Sequence, residues 1–321
     1  MGWSRRHFLA TSSLSAVASL LDVPGALAQA AGAAAQAQAP PNTPPSPPPT
    51  AVTPVRGTLS VFTGQGGTIG LHIAPDGIIV VDTQMPPTAT ICLEGLRARA
   101  GDRRIDYLVN THHHFDHTAG NGVFRPLAVK HLAHANVPAL QKAAAERQPA
   151  QPGLPGPAEQ VYADRTFTNT WREAVGKEVL ALKHYGPAHT GGDAVVTFET
   201  ANVVHMGDLV FNRRHPFIDR PGGASIRNWI TLLETVPNDH ERDTIYVFGH
   251  AGTAFPVTGG AADLAYMRDY LTALLDYTRA QMKAGKPRDA IVKSTDTLKG
   301  FADHGPLIER VLTAAYDELA G

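Results

Sequence analysis

Cysteine is almost absent from this chain. Of 321 residues only Cys92 carries a thiol, so an intrachain disulfide cannot form. Cys92 falls in a stretch of helical spacing after a turn, where a small buried apolar residue is a better reading than a reactive thiol. A charge excess is absent too. Lys and Arg number 28 against 29 Asp and Glu, a formal net charge of -1, and a nucleic-acid partner usually demands a basic surplus. A long hydrophobic run is also lacking. The weakly apolar stretch from residue 10 to 27 contains Asp22 and Pro24 and would span a bilayer poorly, so no permanent membrane anchor is expected. What remains is an ordinary globular composition, long enough for one large domain or two small ones.

The N-terminus reads as an address. Ser4-Arg5-Arg6-His7-Phe8-Leu9 supplies a basic start, residues 10–27 a modest apolar middle, and Ala26-Leu27-Ala28 a small-residue cleavage site. Paired arginines followed by Phe8 and Leu9 resemble a twin-arginine signal, assigned here to residues 1–28. That resemblance implies a bacterial chain handed to the twin-arginine export machinery and destined for the periplasm or the medium. Residues 29–54 are mostly Ala, Gln and Pro and read as a disordered linker. The folded, functional part is expected at residues 55–321.

Within it, 59–63, 68–73 and 77–81 are short β-rich runs separated by Gly, Pro and Asp, as in a meander. Residues 87–100 have helical spacing. Residues 105–110 read as a strand and 137–147 as a helix. Strands are expected at 179–184, 194–199, 203–206 and 244–248, a helix at 226–236, and closing helices at 261–284 and 306–319. Strand runs followed by helices, twice over, suggest two similar α/β halves.

The chemistry concentrates in Thr111-His112-His113-His114-Phe115-Asp116-His117, an H-x-H-x-D-H pattern just past a strand. Alternate residues of an extended segment project to one side, so His112 and His114 can share a metal while Asp116 and His117 turn toward a second. Imidazole and carboxylate are the donors a zinc-like cation prefers. Three further pieces sit where strands give way to loops. They are Ala188-His189-Thr190-Gly191-Gly192-Asp193, Met206-Gly207-Asp208-Leu209 and Phe248-Gly249-His250.

These four pieces, in this order, resemble the metallo-β-lactamase superfamily. The resemblance runs from about Val61 to the C-terminus. It implies an αββα four-layer sandwich with a two-metal site at one edge of two packed sheets. Carried over residue by residue, His112, His114 and His189 would bind one divalent ion, zinc being the first expectation. Asp116, His117 and His250 would bind another, and Asp208 would bridge the two. Such a pair would hold a hydroxide that attacks a small-molecule substrate, with Asp116 as the catalytic group handling the proton. Asp82 matches a position where the family keeps an aspartate near the site. Tyr185 and Thr190 are candidates for the pocket lining. Arg213, Arg214 and Arg220 are candidates for gripping a substrate carboxylate, against the plainer reading of an exposed basic loop. His113 should point away from the metals.

The expectation is therefore an exported dinuclear zinc hydrolase acting on an ester, lactone, thioester or amide carbonyl. A β-lactamase is the specific alternative, although Asp208 stands where many zinc β-lactamases use another residue. Two other readings stay open: an iron-dependent redox enzyme on the same scaffold, and a metal-binding accessory protein of a periplasmic quinoprotein system.

Overall fold

The computed structural model describes residues 50–147 and 154–321. The signal read at 1–28, the linker as far as residue 49 and most of the Pro/Gly loop after residue 147 lie outside them.

Four strands open the chain as an antiparallel meander: β1 (Ala51–Arg56), β2 (Leu59–Thr63), β3 (Ile69–Ala74) and β4 (Gly77–Val81). Helix α1 (Pro86–Ala100) crosses over to β5 (Ile105–Val109), which pairs parallel to β4. Two single-turn helices, α2 (Phe115–Thr118) and α3 (Asn121–Phe124), lead to β6 (Ala128–His134), parallel again. Helix α4 (Val137–Arg147) precedes β7 (Arg165–Phe167), the last strand of a seven-stranded sheet.

The second sheet takes β8 (Thr170–Val175), β9 (Glu178–Lys183), β10 (Val195–Phe198) and β11 (Val203–His205) in antiparallel sequence. A short β12 (Phe211–Asn212) and helix α5 (Ile226–Thr235) follow. Then β13 (Ile245–Val247) pairs parallel to β11, β14 (His250–Ala251) pairs with β12, and β15 (Thr258–Gly259) closes the edge. Helices α6 (Ala261–Lys283), α7 (Arg288–Val292) and α8 (Glu309–Ala320) finish the chain.

The side-chain period builds four layers from this. All five residues of β4 are buried because both faces of its sheet are covered. Ile79 and Val81 join Leu180, Leu182 and Val196 between the sheets, while Ile78 and Val80 pack against Ala89, Leu93 and Leu96 of α1. Beyond the second sheet, Val204 and Tyr246 meet Trp229, Leu233, Leu271 and Val311 of α5, α6 and α8. The αββα sandwich is therefore the fold. Cys92 is buried on the inner face of α1, and burial pushes its thiol up to about 12, as the plain reading required.

Three differences from the expected elements have physical reasons. The linker was to run to residue 54, but β1 starts at Ala51. Pro54 is tolerated because β1 is an edge strand whose register shifts at that residue. The strand β6 was not expected because its sequence includes Lys130, His131 and His134. Each finds a polar partner: Lys130 the Tyr107 hydroxyl at 2.8 Å, His131 the Asn110 amide oxygen at 2.7 Å, His134 the Thr168 carbonyl at 2.9 Å. Short β7 and β8 alternate too weakly to stand out. The parallel pairs β4/β5 and β11/β13 bring the ends of four strands to one edge, where Asp82, His112, Asp208 and His250 follow.

Candidate metal centre

At that edge the seven expected ligands converge. His112, His114, His189 and Asp208 offer donor atoms that all lie within 4.8 Å of one another, as do Asp116, His117 and His250. In the first set, His114 Nδ1 is 3.1 Å from His112 Nε2 and 2.9 Å from His189 Nε2. In the second, His250 Nε2 is 3.1 Å from Asp116 Oδ2 and 3.4 Å from His117 Nε2. Asp208 stands between them. Its Oδ2 is 3.5 Å from His189 Nε2 and 3.4 Å from His250 Nε2, and its Oδ1 is 3.0 Å from His117 Nε2.

Hydrogen-bond bookkeeping fixes which nitrogen of each ring is free. His117 Nδ1 lies 2.8 Å from Asp82 Oδ2, and an ionised carboxylate only accepts, so the proton is on Nδ1 and Nε2 keeps its lone pair. His189 Nδ1 faces the Phe217 carbonyl at 2.7 Å, with the same result. The Thr111 hydroxyl donates to Asp82 Oδ2 at 2.7 Å, so it can only accept from His112 Nδ1 at 3.0 Å. His114 runs the other way: Nε2 donates to Asp219 Oδ2 at 3.0 Å and Nδ1 is free. In all four rings the free nitrogen is the one pointing into the cluster.

The backbone is shaped to permit this. Asp82 has φ 63°, a left-handed conformation uncommon outside glycine, and its carboxylate takes the Thr111 N–H at 2.8 Å as well. Gly67 and Gly249 allow close approach. A Cβ on the first would lie 2.1 Å from His117 Cε1, and on the second 2.0 Å from Asp208 Oδ1.

The electrostatics are those of a site built for cations. Burial lowers His112 well below its ordinary value and takes His189 down to about 3, so both are neutral donors. Burial opposes charge on His250 too, but Asp208 and Asp116 outweigh it and raise the imidazole to about 9. The same contest ends the same way at His117, raised by Asp208, Asp82 and Asp116. Burial would raise Asp116, yet His117 and His250 bring it to about 2. Both shifts answer the negative charge of Asp82, Asp116 and Asp208, the same charge a cation would answer. Asp208 Oδ1 is buried and makes no well-formed hydrogen bond, its near neighbour being the ligand nitrogen His117 Nε2 at 3.0 Å, so it is an acceptor aimed into the cluster. Donor types, free lone pairs and this acceptor all fit a pair of divalent ions.

The remaining candidates divide. Asp82 belongs to the site, holding His117. Thr190 is buried beneath it: its N–H and hydroxyl donate to Asp193 at 2.8 and 2.6 Å and set the turn that carries His189. Tyr185 is not part of it; its hydroxyl donates to Asp239 at 2.7 Å on the outer side of the second sheet, in a groove with Trp171 and Lys183. Arg213 is a correction as well, being paired with Asp263 and stacked over Tyr266. So is Arg220, which pairs with the buried Glu318 and donates to the Ala224 carbonyl. Arg214 is exposed and makes no side-chain hydrogen bond among the described residues. His113 does turn from the cluster, with Nε2 3.2 Å from Asp219 Oδ2. Sequence reasoning missed Asp219 and the Phe217 carbonyl, which no local motif marks; only Gly222-Gly223 nearby hints at a tight turn.

The model of the metallo-beta-lactamase superfamily matches residues 63–277, and the chain belongs to that superfamily. With its two donor clusters, it is a metal-dependent hydrolase. A probable metallo-hydrolase of Methanocaldococcus jannaschii is 27% identical over 180 residues, 52% of this chain and 80% of its own length. The alpha subunit of a 2,4-dinitroanisole O-demethylase from Nocardioides sp. is 28% identical over 161 residues, 49% of this chain; the match spans 45% of that relative. Among solved structures, a metallo-beta-lactamase from Pontibacter korlensis superposes with TM-score 0.57 at 18% identity, covering 70% of this chain and 99% of its own. A sec-alkylsulfatase from Pseudomonas sp. gives 0.61 at 16% identity, covering 85% and 50%. At these identities the structural likeness is one of fold.

Proposed function

We propose that this chain is an exported dinuclear zinc hydrolase cleaving an ester, lactone, thioester or amide bond of a small molecule. His112, His114 and His189 would hold one ion, Asp116, His117 and His250 the other, and Asp208 both. The observation that carries the reading is Asp208, buried, with no well-formed hydrogen bond on Oδ1, and within 3.5 Å of ring nitrogens from both sets. An all-imidazole and carboxylate donor set supports zinc.

When bound, the two ions supply Lewis acidity and an activated water. The protein's own part is orientation and proton handling. Asp116 is about a quarter exposed, the most open of the carboxylates in the cluster, and its Oδ2 touches His250. It can therefore receive a proton at the mouth of the site while Asp208 stays buried. The named activities of the relatives differ, so substrate choice rests on the loops around this shared centre. Export is supported by Arg5-Arg6 and the Ala26-Leu27-Ala28 site.

The test is elemental analysis of protein purified without chelator or added metal, followed by a screen of esters, lactones, thioesters and β-lactams. About two zinc ions per chain with turnover of a carbonyl substrate is expected. Preference for β-lactams would select the β-lactamase alternative, and iron as the main metal would move the redox reading to the front. No transition metal, even after zinc is offered back, would overturn the proposal.

A further inference from the structure

We infer that Asp219 is the residue that makes His114 a ligand, and thereby controls loading of the first ion. This rests on the two-metal reading above. His114 is the one ring in the cluster that points Nδ1, not Nε2, at its neighbours. Unless its proton is held on Nε2, Nδ1 has no lone pair to offer. Asp219 Oδ2, 3.0 Å from His114 Nε2, is the acceptor that holds it there.

Asp219 is itself held firmly. Its Oδ1 accepts the Gly222 N–H at 2.9 Å, its N–H donates to the His189 carbonyl, and its carbonyl accepts from Ala224. The carboxylate is tucked against Gly222 so closely that a Cβ there would lie 2.0 Å from Oδ2. The Phe217 carbonyl, two residues earlier, holds His189. One loop therefore sets the tautomers of two of the three first-set histidines. Asp82 does the equivalent for His117, so each half of the centre has one imidazole backed by a carboxylate.

The chemistry predicts an inverted order of damage. In Asp219→Asn, one arm of the side chain must face the Gly222 N–H and the other His114. If the amide oxygen meets Gly222, the NH2 faces His114 Nε2, which must then accept. The ring proton moves to Nδ1, and the ligand atom is blocked. If the amide is flipped, NH2 meets N–H. Asp219→Ala leaves His114 free to take either tautomer with water. A residue needed only for the shape of the loop would suffer more from alanine, which leaves Gly222 N–H unpaired, than from asparagine.

The experiment is zinc titration of chelator-stripped wild type, Asp219→Asn and Asp219→Ala against a chromophoric zinc chelator, with circular dichroism of the metal-free proteins. Wild type should bind two ions. The asparagine variant should keep one site and weaken the other by about 10- to 100-fold, with alanine weakened less. Wild-type affinity in the asparagine variant, or alanine worse than or equal to asparagine, would overturn the inference. Nitrogen chemical shifts of the metal-free rings give a second readout should alanine fail to fold. They should place the His114 proton on Nε2 in wild type and on Nδ1 in the asparagine variant, and an unchanged tautomer would overturn it equally. Failure of wild type to bind two ions would instead sink the two-metal reading itself.

Discussion

Asp116 is the residue whose loss should strike activity while sparing the first set of donors. It touches His250 but not the first set, and it is the open carboxylate of the cluster. Asp116→Asn is expected to cut kcat by about 10²- to 10⁴-fold while elemental analysis still finds at least about one ion per chain, the first set being intact. A second prediction concerns pH. Asp208 and Asp116 raise His250 to about 9 in the metal-free protein. The stability this pairing adds is fully present below the ordinary histidine value of 6.5 and is lost as pH rises through about 9. Metal must displace that proton, so the gain in Tm on adding chelator-buffered zinc should grow between pH 6.5 and 9. A constant gain would count against the pairing. At this scale the sequence was most informative where ligands cluster. His112 to His117 share one segment, and the other three follow in family order. Asp219 was illegible because it acts through a ring from a distant segment, and a lone aspartate in a loop carries no pattern. The arginines misled for the opposite reason: cationic residues after a ligand look available until Asp263 and Glu318, far along the chain, are seen to claim them.

Among the elements, α5 is the one most directly tied to the centre. Ser225 caps it, its hydroxyl accepting from the Asn228 N–H at 3.3 Å. Trp229 is fully buried, packs against the His189 ring with centroids 5.5 Å apart, and donates its indole N–H to the Leu209 carbonyl at 2.9 Å. Leu209 directly follows Asp208. Trp229→Phe keeps much of the volume but strands that carbonyl, and should cost about 1–3 kcal/mol, read as a lower midpoint in chemical denaturation. Elements such as β2 and β4 were legible to the residue because apolar runs bounded by turn residues define them. The strand β6 was not, since its buried polar residues make sense only beside Asn110, Tyr107 and Thr168.

At the scale of the whole molecule, the last helix reaches back to the site. Glu318 of α8 is buried, pairs with Arg220 and accepts the Arg227 N–H at 3.2 Å. Glu318→Gln should lower stability by about 1.5–3 kcal/mol, toward the lower figure because Arg220 is a third exposed. It should also quicken zinc loss to a chelator, because Arg220 adjoins Asp219. The layers themselves were readable from two rounds of strands then helices, but the joining of their edges was not. The ligands come from loops of both sheets, from residue 112 to residue 250. In a chain with a single thiol, bound ions are thus a reversible cross-link between the halves. Such a cross-link strengthens with free metal, adding about 4 kcal/mol when the concentration exceeds Kd a thousandfold. Resistance to heat and proteases then becomes a property of the surroundings as much as of the polypeptide: the same chain is tough where its metal is plentiful and fragile where a competitor has stripped it away.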